Sequence, residues 1–265
     1  LDGILFVSEP ERNNRAILLF HGMTGTPTEL VYLARILYKE GFDVYCPPLP
    51  GHLKGREDVM RPSWKDWMQF ARDEYERIAP RYASLSVGGV CVGAVIASAL
   101  STERKCSAVV CMAPILRHDG WSIPWYHIFS WFPLLTPLKF FFVFPEGDTL
   151  GIRDEEVRAK IGESMGKEGD ALDCFPLICV RQMLDLGHYL KTRLAKVTAP
   201  ILVIHSERDD VADISNAKEI YHGVSSAKKE FMAVRNSYHL VTLDRDKDAV
   251  NAKVVQFLVQ EAGPQ

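Results

Sequence analysis

The chain has 265 residues, a formal net charge of −3 at pH 7 and 47% hydrophobic residues. That length suits one large α/β domain, or one domain carrying an insertion, and it buries a substantial core without disulfide staples. Acidic and basic residues are mixed along the chain with no basic block or stripe, which excludes a dedicated nucleic-acid binder.

The six cysteines, at 46, 91, 106, 111, 174 and 179, make no C-x-x-C pair and no Cys/His cluster of zinc spacing. The expectations are reduced thiols, no metal, no cofactor and a cytoplasmic protein. The first ten residues, "LDGILFVSEP", lack the basic flank and cleavage pattern of a secretory signal.

In chain order, short β-branched apolar runs alternate with longer helical patterns. "AILLF" (16–20) predicts a strand, and Leu30, Leu33, Ala34 and Leu37 form one stripe of a helix from about Thr28 to Lys39. "FDVYCP" (42–47) predicts a second strand, followed by a helix through "WKDWMQFARDEYERIA". Next come the strand "SLSVGGV", a helix beginning near Val92, and the strand "SAVVCMA" (107–113). Towards the C-terminus, "PILVIHS", a helix around "ISNAKEIYH", "KEFMAV" and the helix "DAVNAKVVQFLVQ" resume the alternation. Buried strands separated by amphipathic helices predict a doubly wound, mostly parallel sheet, with its chemistry at the strand C-terminal ends.

The alternation breaks over 114–193, which divides the chain into a core of 1–113 plus 194–265 and an inserted cap. The insertion contains "WSIPWYHIFSWFPLLTPLKFFFVF" (121–144), 24 residues with ten aromatics and three prolines. The length suits a membrane span, but Pro124, Pro133 and Pro137 oppose one. A cap packed over the sheet edge is the expectation, with peripheral membrane contact through 121–144 as a further one. "RDEEVRAKIGESMGKEGD" predicts a solvated helix and loop.

Four segments carry chemistry. "GVCVG" places Cys91 between Gly89 and Gly93 where a strand turns into a helix, the outline of the G-x-S-x-G nucleophile elbow. Small flanking residues are needed there because the turn is strained and the helix packs close to the strand. The positive end of the following helix favours a thiolate. "FHGMTGTPTEL" supplies a loop after the first strong strand. Backbone N–H groups of Met23, in that loop, and of Val92, after the elbow, are the expected oxyanion donors. His21 is expected to shape the loop. "ILVIHSERDD" places Asp209 beyond a strand as the imidazole-orienting carboxylate, with Asp210 and Asp213 as competitors; a helix-capping role suits Asp213 best. "NSYHLVTLDRDKD" places His239 in a loop thirty residues later, in nucleophile–acid–base order.

Together these segments, with "PPLPGH", "WKDWMQFA" and "CMAPI", resemble the α/β-hydrolase superfamily, and within it the small bacterial carboxylesterases and monoacylglycerol lipases. The resemblance covers nearly the whole chain. It implies the α/β-hydrolase fold, a Cys91–His239–Asp209 triad, oxyanion donors at Met23 and Val92, and no cofactor. Two departures stand out: those esterases carry serine at the elbow, and their cap is shorter.

Sulfur alters the chemistry rather than ending it. The expected activity is hydrolysis of a lipophilic acyl or aryl ester or thioester, including one linked to coenzyme A or a carrier protein, through acyl-Cys91. Dienelactone hydrolases and polyhydroxyalkanoate synthases are similar enzymes with cysteine elbows. Their example adds acyl transfer from Cys91 to an amine, alcohol or carbon nucleophile as an alternative. A non-catalytic ligand-binding protein of the same fold is the third reading.

Overall fold

A computed structural model describes residues 3–8, 14–123, 131–167 and 169–261. The elements in chain order are β1 (Ile4–Phe6), β2 (Arg15–Phe20), α1 (Val31–Lys39), β3 (Asp43–Cys46), α2 (Arg56–Val59), α3 (Trp64–Ile78), β4 (Ser84–Val90), α4 (Val92–Leu100) and β5 (Val109–Met112). Then follow α5 (Trp131–Leu135), β6 (Val143–Pro145), α6 (Glu155–Ser164), β7 (Cys174–Pro176), α7 (Leu177–Lys191), β8 (Ile201–Ser206), α8 (Ser215–Gly223), β9 (Lys229–Val234) and α9 (Lys247–Glu261).

Seven strands form one sheet in the order β1-β3-β2-β4-β5-β8-β9. All neighbours are parallel except β1, which runs antiparallel to β3. The fold is the α/β-hydrolase fold. β2, β4 and β8 are buried at every residue, as strands covered by helices on both faces must be. Helices α1 and α3 bury single stripes, Leu33–Ala34–Leu37 and Trp67–Met68–Ala71–Tyr75–Ile78. α4 is buried along its whole length and packs behind the sheet centre.

The predicted strands and helices of the core appear within a few residues of their sequence limits. The structure adds the edge strand β1, the antiparallel pair β6–β7 and the 15-residue helix α7. α7 packs on α3 and α4, and its Ile178, Cys179, Met183, Leu186 and Leu190 join the main core. The charged stretch forms α6, which has no buried residue. Part of the aromatic segment, 124–130, lies outside the described residues. Among the described residues, no helix is long and apolar enough to cross a membrane.

Two glycines set the approach of α4 to the sheet. A Cβ on Gly89 would lie 2.5 Å from the Phe20 carbonyl oxygen, and one on Gly93 only 2.1 Å from it. Both contacts are with backbone, so neither is relieved by a side-chain rotation. Gly93→Ala is therefore expected to lower stability by about 3 kcal/mol or more through overpacking, read as a shifted urea midpoint. A loss below about 1 kcal/mol would show that α4 withdraws freely.

Candidate active site

Cys91 sits between the last residue of β4 and the first of α4, with φ 60° and ψ −125°. A side chain rarely adopts this backbone, and the strain survives because the surrounding packing over-determines it. The Cys91 amide donates to the Met112 carbonyl at 3.0 Å, which fixes the turn against β5. The sharp turn places Cys91 in the wall of a cavity of about 330 Å³, which Met23, Glu29, Glu146 and His239 also line. Val92 opens α4, where the backbone N–H has no intrahelical acceptor.

The imidazole arrives from the loop after β9. His239 Nδ1–H donates to Asp209 Oδ2 at 2.8 Å, with both side chains buried. Asp209 is fixed in turn, because its Oδ1 accepts the amides of Val211 (2.9 Å) and Ala212 (2.8 Å). With Nδ1 protonated, Nε2 is left as the reactive atom. It is buried, has no partner at ordinary hydrogen-bond geometry, and faces Cys91. We read this as a poised contact rather than a formed bond, since such bonds commonly tighten only around substrate. Burial disfavours the charged imidazole, but Asp209 and Cys91 together outweigh it and hold the His239 pKa well above its ordinary value. Burial opposes ionisation of Asp209 as well, yet the His239 charge and hydrogen bond keep its carboxyl below the usual range.

The three candidate acids take different parts. Asp210 accepts the His239 amide at Oδ1 (3.2 Å) and the Thr149 hydroxyl at Oδ2. Asp213 accepts the Ser215 amide at 2.8 Å, at the start of α8. Only Asp209 meets the imidazole ring of His239. His21 is loop-shaping: the Leu49 amide donates to its Nε2 at 2.9 Å, so Nδ1 carries the proton and donates to the Gly22 carbonyl at 2.9 Å. Burial and then neighbouring His52 hold the His21 pKa well below its ordinary value.

Sequence reasoning missed three contributors. His205, near the end of β8, lies with Nε2 2.9 Å from the Ala212 carbonyl and 3.2 Å from Asp209 Oδ2, behind the acid. Glu29 accepts the Gly22 amide at Oε2 (2.7 Å), and burial pushes its pKa up to about 7 against that bond and His239. Glu146 follows β6 in the insertion, and its Oε2 is sealed from solvent with no hydrogen-bond partner. Burial, then repulsion from Asp210, pushes its carboxyl up to about 8. Among the described residues, no group of three or more His, Cys, Asp and Glu could hold a metal ion.

The sheet, the elbow and the buried His–Asp pair define a member of the α/β-hydrolase superfamily. Residues 11–246 match the model of the family described as serine aminopeptidase, S33, and the chain belongs to that family. Over 98% of each chain it is 28% identical to the thermostable monoacylglycerol lipase of Bacillus sp. (strain H-257). It is 24% identical to the carboxylesterase of Bacillus subtilis (strain 168), over 92% of each. The Paleococcus ferrophilus monoacylglycerol lipase structure superposes with a TM-score of 0.78 at 16% identity, covering 97% of this chain and 99% of that one.

Glu146 yields a test of the cavity's electrostatics. The unfolded chain releases this proton near 4.5, whereas the folded chain holds it to about 8. The folded state thus binds more protons between those values, so Glu146's contribution is full below 4.5 and is lost as pH rises to about 8. The Tm of Glu146→Gln relative to wild type is expected to rise by several degrees across that window, at roughly 2–4 °C per kcal/mol. A difference independent of pH would show that Glu146 titrates like an exposed acid.

Proposed function

We propose that the chain is an ester hydrolase of the lipase and carboxylesterase type that works through an acyl-Cys91 intermediate. The observation that carries this reading is the strained Cys91 backbone in the same cavity as a His239 ring hydrogen-bonded to buried Asp209. The similarity to lipases and carboxylesterases over nearly the whole chain supports the ester class.

In this mechanism Cys91 and His239 rest as a thiolate–imidazolium pair, in keeping with the raised His239 pKa. Sγ attacks the substrate carbonyl, and a C–S bond forms as the carbonyl π pair moves onto oxygen. The backbone N–H groups of Met23 and Val92 hold that oxyanion, each contact being worth about 3 kcal/mol. The bond to the leaving group then breaks, and His239 Nε2 delivers its proton to the departing atom. Water, deprotonated by the same Nε2, attacks the acyl thioester and returns Cys91. Asp209 keeps Nδ1 protonated and the ring oriented throughout.

Thiolate leaves a tetrahedral centre more readily than alkoxide, so attack on a plain ester tends to revert. Activated esters and thioesters, including those on coenzyme A or a carrier protein, are the favoured donors. Ile115, Leu150, Met165, Leu172, Phe175 and Leu240 give the cavity an apolar wall suited to a lipophilic acyl or aryl group. Within the insertion over 114–193, the part before α7 acts as the cap, since α7 itself packs into the main core. It exposes Phe132, Leu135, Phe140, Phe141, Phe142 and Phe144, a patch suited to peripheral contact with a lipid surface.

Two measurements follow. Brief exposure to activated esters and acyl thioesters is expected to add the acyl mass to the intact wild-type chain and not to Cys91→Ala. An adduct persisting in Cys91→Ala, or missing from wild type with every donor, rejects the nucleophile. If added amines, alcohols or carbon nucleophiles clear the adduct faster than buffer does, the enzyme is an acyltransferase. Separately, the chain is expected to float with anionic liposomes, and Phe141→Asp with Phe142→Asp to lower the bound fraction at least about fivefold. Equal flotation would remove the lipid-facing role from this patch.

A further inference from the structure

Glu29 is placed where a helix-capping acid would be expected, but its side chain turns inward and the oxyanion loop is folded around it. Its Oε2 accepts the Gly22 amide at 2.7 Å. Its Oε1 lies 1.7 Å from an ideal Cβ on Gly25, so a side chain there would displace the Glu29 carboxyl. A methyl group on Gly22 would sit 3.1 Å from Glu29 Oε2 and 3.2 Å from Cys91 Cβ, so about one methyl group separates the carboxyl from the cysteine. The Glu29 carbonyl also accepts the Thr242 hydroxyl at 2.9 Å, tying this turn to the loop that carries His239.

We propose that Glu29 is a positioning residue that holds the oxyanion loop through Gly22, and that acylation of Cys91 runs on its neutral form. The inference rests on the nucleophile reading above. Met23 directly follows the amide that Glu29 grips, so an ionised Glu29 is a fixed negative charge beside the place where the substrate oxyanion develops. The neutral acid keeps a carbonyl oxygen for Gly22 and removes that charge. Acylation moves negative charge from Sγ onto oxygen beside Met23, and a fixed charge next to that oxygen opposes the move, lowering the rate by about tenfold.

The burial that pushes Glu29 up to about 7 puts this change near neutrality. The titratable groups facing Glu29 are His239 from the loop after β9, Cys46 at the end of β3, Glu146 after β6 and, past Gly22, Cys91. His118, Lys160 and Asp170 line the same cavity. The Glu29 and His239 charges act on each other, so the rate comparison with Glu29→Gln is read together with the Gly22 amide, which bonds Glu29 itself. Gln keeps an amide carbonyl for Gly22 and cannot ionise.

The test has two readouts on the full chain. The first is the Gly22 amide proton resonance followed against pH. The second is the rate of Cys91 acylation by an activated phenyl ester, read by intact mass from about pH 6 to pH 9. The Gly22 resonance is expected to titrate near pH 7 in wild type and to stay flat in Glu29→Gln. From pH 6 to pH 9, the wild-type acylation rate should lose about tenfold relative to Glu29→Gln, while Glu146→Gln keeps that loss. Coincident profiles for wild type and Glu29→Gln, a Gly22 resonance indifferent to pH, or removal of the loss by Glu146→Gln instead would overturn the proposal. Should Glu29→Gln not fold, the wild-type Gly22 titration alone decides the coupling. An adduct missing at every pH while Gly22 still titrates would reject the nucleophile and leave the Glu29–Gly22 coupling supported.

Discussion

The backbone of Cys91, held at φ 60°, is the constraint on which the rest of the site depends. Strain of this kind costs about 1–3 kcal/mol and survives only where neighbours leave no alternative. Here the neighbours are the amide bond to Met112, the bare backbones of Gly89 and Gly93 against the Phe20 carbonyl, and a helix buried on every side. The result is a short side chain at the sheet's C-terminal edge, beside the first unpaired amides of α4. Neither the thiol nor the amide at Val92 would be presented this way on a relaxed turn.

The acids around this site behave differently, and environment alone separates them. Asp209 has two backbone amides and an imidazole to meet its charge, and it stays ionised despite full burial. Glu146 has a buried oxygen with no partner and two nearby acids, and it holds its proton. Glu29, with one amide, lies between them. Divergence of this kind among neighbouring carboxyls is how one pocket keeps a charged orienter and neutral acids at the same pH.

The core was legible in the sequence because its signals are local. β2 and β8 are uninterrupted apolar runs, α1 and α3 carry single apolar stripes, and glycines two residues on either side of Cys91 mark the elbow. α7 was illegible because its first four residues, Leu177 to Val180, are all buried, between α4 on one side and the cap on the other. No polar face opens that helix, so no 3.6-residue period announces it. β6 and β7, at three residues each, are too short to show alternation. Asp209, Asp210 and Asp213 are alike in sequence, and the choice among them is tertiary. Glu29 has no local signal of its role: Thr26 to Glu29 reads T-x-x-E, the capping-box pattern, yet the carboxyl accepts the Gly22 amide.

The absence of serine at the elbow is not made good by another hydroxyl. Ser98, the next serine along, donates to the Ala94 carbonyl inside α4, and Ser86 is buried within β4. Of the threonines lining the cavity, Thr24 donates to the Met23 carbonyl, and Thr26 and Thr28 bond to each other. Ser164, which also lines the cavity, donates to the Ile161 carbonyl, so the proposed mechanism has Cys91 as its nucleophile and no hydroxyl in reserve. The proposed thiolate would add a negative charge to a cavity lined by Glu29 and Glu146, with Asp209 and Asp210 bonded to His239. Charge on Glu29 and Glu146 would oppose it. Burial raises the pKa of Glu29 to about 7 and that of Glu146 to about 8, which lessens that opposition, while Asp209 stays ionised against His239. In the proposed mechanism the neutral forms of Glu29 and Glu146 therefore suit an anionic Cys91, and the buried Asp209 balances the imidazolium.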